Sequence, residues 1–180
     1  MTVPSRPDPA ALEAAGQAHL AARRPVEAAE AFAAAAAAVE RPGGDLSVRL
    51  ARALLESGRP AEAAAALMEV VESGGSFRTW AAAAGLLARC PVGDWPGVRQ
   101  RLRVGLVGTW TTETFAPLLR LAAARHGIAL EIVQPPFGQY FNATLDPASD
   151  LLRAAPDVLV LAPDHRALGL RAWSDSPAAD

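Results

Sequence analysis

A chain of 180 residues with a formal net charge of −2, 51% hydrophobic and 20% charged side chains, describes a globular protein of one ordinary domain or two small ones. It carries no basic field to collect nucleic acid or coat a membrane surface, and no apolar run near the ~20 residues that span a bilayer. All 17 basic residues are arginine, which excludes a phosphate-loop, Schiff-base or kinase-type lysine in these residues, and one cysteine, Cys90, excludes an internal disulfide or a thiolate metal cluster.

From the N-terminus, residues 1–9 are expected to be disordered, and the stretch MTVPSRPDPA has no apolar core of a signal peptide. A cytoplasmic protein is the expectation. Residues 10–90 are dominated by alanine and leucine, good helix formers, with breaks at Arg41-Pro42-Gly43-Gly44 and Ser73-Gly74-Gly75. RPVEAAEAF, from Arg24, and RPAEAAAAL, from Arg59, repeat at an offset of 35 residues. A tetratricopeptide repeat has a period of about 34. Gly16, Ala28, Phe32 and Ala35 in the first copy, and Ala51, Ala63, Leu67 and Val70 in the second, take its small, small, large and small positions. Small residues let the helices of a hairpin approach, and the large one fills the groove between hairpins. Pro25 and Pro60 fall at the first helical position, where a missing N–H costs nothing. The segment resembles a short tetratricopeptide array, with Phe77 to Arg89 as a further, capping helix. The competing reading is an alanine-rich bundle with no binding role.

Residues 91–101 read as a linker, in which Trp95 is expected to pack against a neighbouring domain. After Leu102 the period changes. VGLV is a strand, TETFAPLLRLAAARHG a helix ending in glycine, and IALEIV a second strand. DPASDLLRAAP holds a short helix and DVLVLAP a third strand. The order β-α-β-loop-α-β predicts a small, incomplete Rossmann-like unit over 102–164, three parallel strands of flavodoxin-like or SGNH-like kind. A polar tail, 165–180, follows. The expected fold class is therefore α plus α/β, helical hairpins and then an α/β unit. Three strands alone would leave an unpaired edge, to be covered by the repeats or by a second copy of the chain.

The first strand ends at Gly108, followed by Thr109, Trp110, Thr111 and Thr112. Thr111 is expected to cap the next helix, with Glu113 in its first turn. Hydroxyls and free N–H groups at this point make Thr109, Thr111 and Thr112 candidate ligand contacts. The Gly105–Gly108 spacing is neither a dinucleotide fingerprint nor a phosphate loop, and a structural turn is the competing reading. Esterases of the SGNH type place Gly-Asp-Ser here, whereas this chain has Gly108-Thr109-Trp110 and no nucleophilic serine. His19, His126 and His165 lack metal-ligand spacing and read as structural, His126 in the last turn of a helix. Asp157 and Asp164 flank a strand without a second ligand, so no metal and no cofactor are expected. Cys90 reads as inert.

The run from Val104 to Asp164 resembles the N-terminal α/β region of FkbH-like proteins, the family IIIC branch of the HAD-superfamily phosphatases. Gly108 with Thr111 and Thr112, Phe137-Gly138-Gln139-Tyr140, Leu145-Asp146-Pro147 with Ser149, and Ala155-Pro156-Asp157-Val158 carry the resemblance. It implies an association with loading of a glyceryl unit onto an acyl carrier protein in secondary metabolism. In the family the chemistry belongs to a following HAD domain, where an Asp-x-Asp motif works with Mg²⁺. No Asp-x-Asp occurs here; Asp175-Ser176-Pro177 comes nearest, and no catalytic residue transfers. The resemblance adds Gln139, Tyr140 and Asn142 as candidate ligand or carrier contacts. Three functions follow as expectations: a non-catalytic interaction module, a truncated piece or subunit of a HAD-type phosphatase or acyltransferase needing Mg²⁺ and a HAD domain in cis or trans, or a remnant. Expected partners are an acyl carrier protein, a synthase or a HAD-domain protein, with self-association, and neither nucleic acid nor membrane.

Overall fold

A computed structural model describes residues 8–164. The expectations for the extreme N-terminus, for His165, for Asp175 and for the polar tail lie outside the described residues. Among the described residues, 8–101 and 117–129 form one compact unit, and 102–116 and 130–164 form another. Together they make a mixed α plus α/β fold.

In the first unit, helix α1 (Pro9–Ala21) pairs with α2 (Pro25–Ala37), and α3 (Gly44–Glu56) with α4 (Pro60–Met68). A one-turn helix α5 (Val70–Ser73) and α6 (Phe77–Leu87) follow. The 35-residue repeat is visible in the turns. Arg24 N–H donates to the His19 carbonyl and Arg59 N–H to the Leu54 carbonyl, while Arg23 and Gly58 N–H groups close the inner bonds to Leu20 and Leu55. These are paired Schellman closures. Pro25 and Pro60 then open the next helices at the first turn.

The core follows the repeat too. Ala28, Phe32, Ala35, Ala51, Ala63, Leu67 and Val70 are all fully buried. Thr79 on α6 donates its hydroxyl to Asp45 Oδ1 on α3 at 2.7 Å, and Ser76 caps α6 by accepting from Thr79 N–H. Beyond α6, a 3-10 turn (Val92–Asp94) brings Trp95 into the core, and its indole N–H donates to the Cys90 carbonyl at 3.1 Å. The segment expected as a linker is therefore packed, and the strand that follows already begins at Gln100. Leu121 and Ala124 share this core. They lie in helix α7 (Phe115–Arg125), whose Arg125 bonds Glu72 and stands 3.8 Å from Glu69. His126 falls just past the end of α7 and is exposed, not inside its last turn.

Strands β1 (Gln100–Gly108), β2 (Ile128–Val133) and β3 (Val158–Ala162) form a three-stranded sheet in the order β2-β1-β3. β1 and β3 are parallel, in register from Val104↔Val158 to Gly108↔Ala162. Helix α9 (Asp150–Arg153), capped by Ser149, carries Leu151, which is buried. A Cβ on Gly105 would stand 2.9 Å from Leu151 Cδ1 and from Leu159 Cδ1, so glycine is what lets these side chains lie on β1. The segment read as a loop between β2 and α9 contains a further helix, α8 (Tyr140–Leu145), which buries Ala143. Arg103 ties the start of the sheet. Its guanidinium donates to the Ala154 carbonyl at 2.7 Å and to Glu131 at 3.0 Å, and its backbone exchanges bonds with Asp157. Asp157 thus has a structural task.

Candidate functional site

Ligand crevices in open α/β sheets lie beyond the carboxyl ends of the strands. In this chain that place lies past Gly108 of β1 and Ala162 of β3, and a cavity of about 220 Å³ opens there. Val107, Thr109, Tyr140, Phe141, Thr144 and Leu161 line it, with Gly108, Ala162 and Pro163. Each wall has a local cause. Thr109 bridges the strand ends: its N–H reaches the Ala162 carbonyl at 3.4 Å and its Oγ1 accepts from Asp164 N–H at 2.8 Å. Tyr140 packs on the small cluster of Val107, Ala143 and Leu151, and its ring lies 4.3 Å from that of Phe141. Thr144 donates its hydroxyl back to the Tyr140 carbonyl at 2.8 Å, within α8. No charged side chain is among these residues.

The sequence candidates separate into three places. Thr109 and Tyr140 meet at this cavity. Gln139 and Asn142 line a polar recess of about 310 Å³ with Gln134, Asp146, Asp150 and Arg153. Thr111 is exposed and lines neither. Thr112 is buried, and its Oγ1 accepts from Gln134 Nε2 at 2.6 Å. Its methyl carbon stands 2.6 Å from where a Cβ on Gly108 would be, so Gly108 makes room for Thr112. The capping role expected of Thr111 is also displaced. The Thr112 carbonyl accepts from Phe115 and Ala116 N–H, because Glu113 and Thr114 form a turn before α7 begins at Phe115.

Sequence reasoning missed Phe141, Thr144 and Leu161. The i, i+4 pair of Phe141 and Leu145 was the available signal for a helix here. The Leu145-Asp146-Pro147-Ala148-Ser149 piece uses its polar groups on itself. Asp146 Oδ1 accepts from Ala148 N–H at 2.8 Å, and the Ser149 hydroxyl donates to the Ala143 carbonyl at 2.7 Å.

Among the described residues no three His, Cys, Asp or Glu side chains gather as a metal site, and no helix is long and apolar enough to cross a membrane. Cys90 is buried, and burial pushes its thiol above the ordinary range.

With this geometry in view, residues 19–90 match the tetratricopeptide repeat family. The paired helices of that segment are similar to tetratricopeptide repeats. No curated protein and no solved structure matches the chain.

Proposed function

We propose that this chain is a non-catalytic protein-interaction module, in which tetratricopeptide repeats recognise a protein partner. The observation that carries the reading is the family match over 19–90 together with the two hairpins built at a 35-residue offset. Stacked hairpins of this type present extended surfaces to other proteins. The finer reading makes the α/β unit an FkbH-like N-terminal region, located in the cytoplasm and acting beside loading of an acyl carrier protein in secondary metabolism. What supports it is the sequence between Phe137 and Ser149, whose helix α8 lines the first recess with Tyr140, Phe141 and Thr144 and whose Gln139, Asn142, Asp146 and Ser149 line the second. The partner is then an acyl carrier protein or its synthase.

One observation favours a second reading, a subunit or fragment of a HAD-type, Mg²⁺-dependent phosphatase or acyltransferase. Among the described residues strand β3 pairs with β1 alone and exposes Val158, Leu159 and Leu161. An apolar edge of this kind is a place for a further strand.

Titration of the full chain with a phosphopantetheinylated acyl carrier protein, and separately with a HAD-domain protein, tests the proposal. A saturable complex with the carrier and no Mg²⁺-dependent phosphatase activity supports the first reading. Binding only to the HAD protein, with activity appearing in the mixture, moves the assignment to the second. No complex with either at ~100 μM, well above ordinary transient affinities, removes both.

A further inference from the structure

We infer that the cavity beyond β1 and β3 is a binding site for a short, uncharged aliphatic chain of about six carbons that carries a hydroxyl or carbonyl at one end. The inference is independent of which protein the repeats bind.

Three observations point to that chemistry. The first is position, at the carboxyl ends of parallel strands, where the backbone of such sheets leaves room for a ligand. The second is the lining. Val107, Phe141 and Leu161 supply apolar walls, Tyr140 an aromatic face, and Thr109 and Thr144 hydroxyls, with no charge. Phosphate and carboxylate ligands need cationic or multiple N–H partners and find none in this lining. Thr109 is the polar anchor: its Oγ1 already accepts from Asp164 N–H, so its own proton is free to be donated to a ligand oxygen. The third is size. At roughly 30 Å³ for each water-sized group, 220 Å³ holds about seven heavy atoms. That is six carbons and one oxygen. A nucleotide or a pantetheine arm is too large, and a two-carbon group would leave most of the wall uncovered. Phe141 and Leu161 are 61% and 60% exposed, apolar surface that such a chain would cover.

The test is a calorimetric or ligand-observed NMR titration of the full chain with 1-butanol, 1-hexanol, 1-octanol and 1-decanol, and with hexanoate. Affinity is expected to tighten about fourfold per methylene from butanol to hexanol and to level off by octanol, as the added carbons leave the cavity. Hexanoate is expected to bind more weakly than hexanol. Leu161→Trp fills the space and is expected to abolish binding while the circular dichroism melt is retained, because Leu161 is exposed. Thr109→Val keeps the shape, removes the hydroxyl and is expected to weaken hexanol several-fold. Absence of saturable binding overturns the inference. So does affinity that keeps climbing through decanol, or that Leu161→Trp leaves unchanged, since either would mean a general apolar surface. Binding of carrier protein is measured apart from these ligands, so failure of one reading leaves the other standing.

Discussion

The Cβ that Gly16 lacks would stand 2.7 Å from Cε1 of the Phe32 ring, which is itself fully buried. In the second hairpin, 35 residues on, the same two places hold Ala51 and Leu67. From the first pair to the second the small residue grows by a methyl while the large one shrinks from phenylalanine to leucine, so the two sizes compensate. Gly16→Ala alone is expected to lose about 1–3 kcal/mol to overpacking, offset by about 1 kcal/mol of helix propensity. Phe32→Leu alone is expected to cost about 1–2 kcal/mol through the cavity it leaves. The double variant reproduces the pair of the second hairpin. Urea denaturation is expected to show a favourable coupling of at least about 1 kcal/mol between the two. Strict additivity would contradict the packing argument.

Arg23 closes α1 at φ 56°, where its counterpart Gly58 closes α3 at φ 77°. A side chain in the left-handed region is strained and glycine is not. Arg23→Gly is therefore expected to stabilise the chain by up to about 1 kcal/mol, read as a higher midpoint in urea. A lower midpoint would mean that the Arg23 side chain holds the turn.

Cys90 is 4% exposed and its thiol is pushed up by burial. It is expected to resist an aromatic disulfide reagent near neutral pH at least ~100-fold longer than an unfolded control, because the thiolate is the nucleophile. The linkage has a definite sign. A thiol raised in the folded state leaves stability unchanged below the unfolded thiol pKa and loses it as pH climbs from there toward the folded value. Cys90→Ser is expected to flatten that alkaline loss. Rapid labelling of the native chain would contradict the burial.

The outer edge of β3 reads Val158-Leu159-Val160-Leu161-Ala162, with no charge to block pairing. Concentration-dependent association of the full chain in sedimentation is the expected result, and Val158→Lys is expected to weaken it at least ~tenfold. A strictly monomeric chain at ~100 μM would show that the edge is protected, a condition natural sheets often meet.

The helical half was legible because its chemistry repeats: proline at the first turn, a small residue against a large one, and a fixed offset. The strands were legible as apolar runs bounded by glycine or proline, although β1 starts four residues before VGLV. Three of its first four residues, Gln100, Arg101 and Arg103, are polar and conceal the start of the strand from a hydrophobicity reading. Helix α8 stayed hidden because it is six residues long and its large residues Phe141 and Leu145 face outward. Thr111 was misplaced because a cap signal cannot distinguish a helix starting at once from one delayed by a turn. The Gly105–Gly108 spacing fits no nucleotide motif, and each glycine instead faces a side chain of its own unit, Leu151 or Thr112. Side-chain proximity of that kind is not written in local sequence. Neither is the partition of α7, whose Leu121 and Ala124 belong to the helical core.

Residues 19–90 are the surface proposed to meet a protein partner. Hydrogen–deuterium exchange of the full chain, alone and with saturating phosphopantetheinylated acyl carrier protein, tests it most directly. Slowed exchange concentrated in α1 to α4, with the fold otherwise unchanged, is the expected result. Protection confined to β3 and α8, or none at all under saturating carrier, would contradict it.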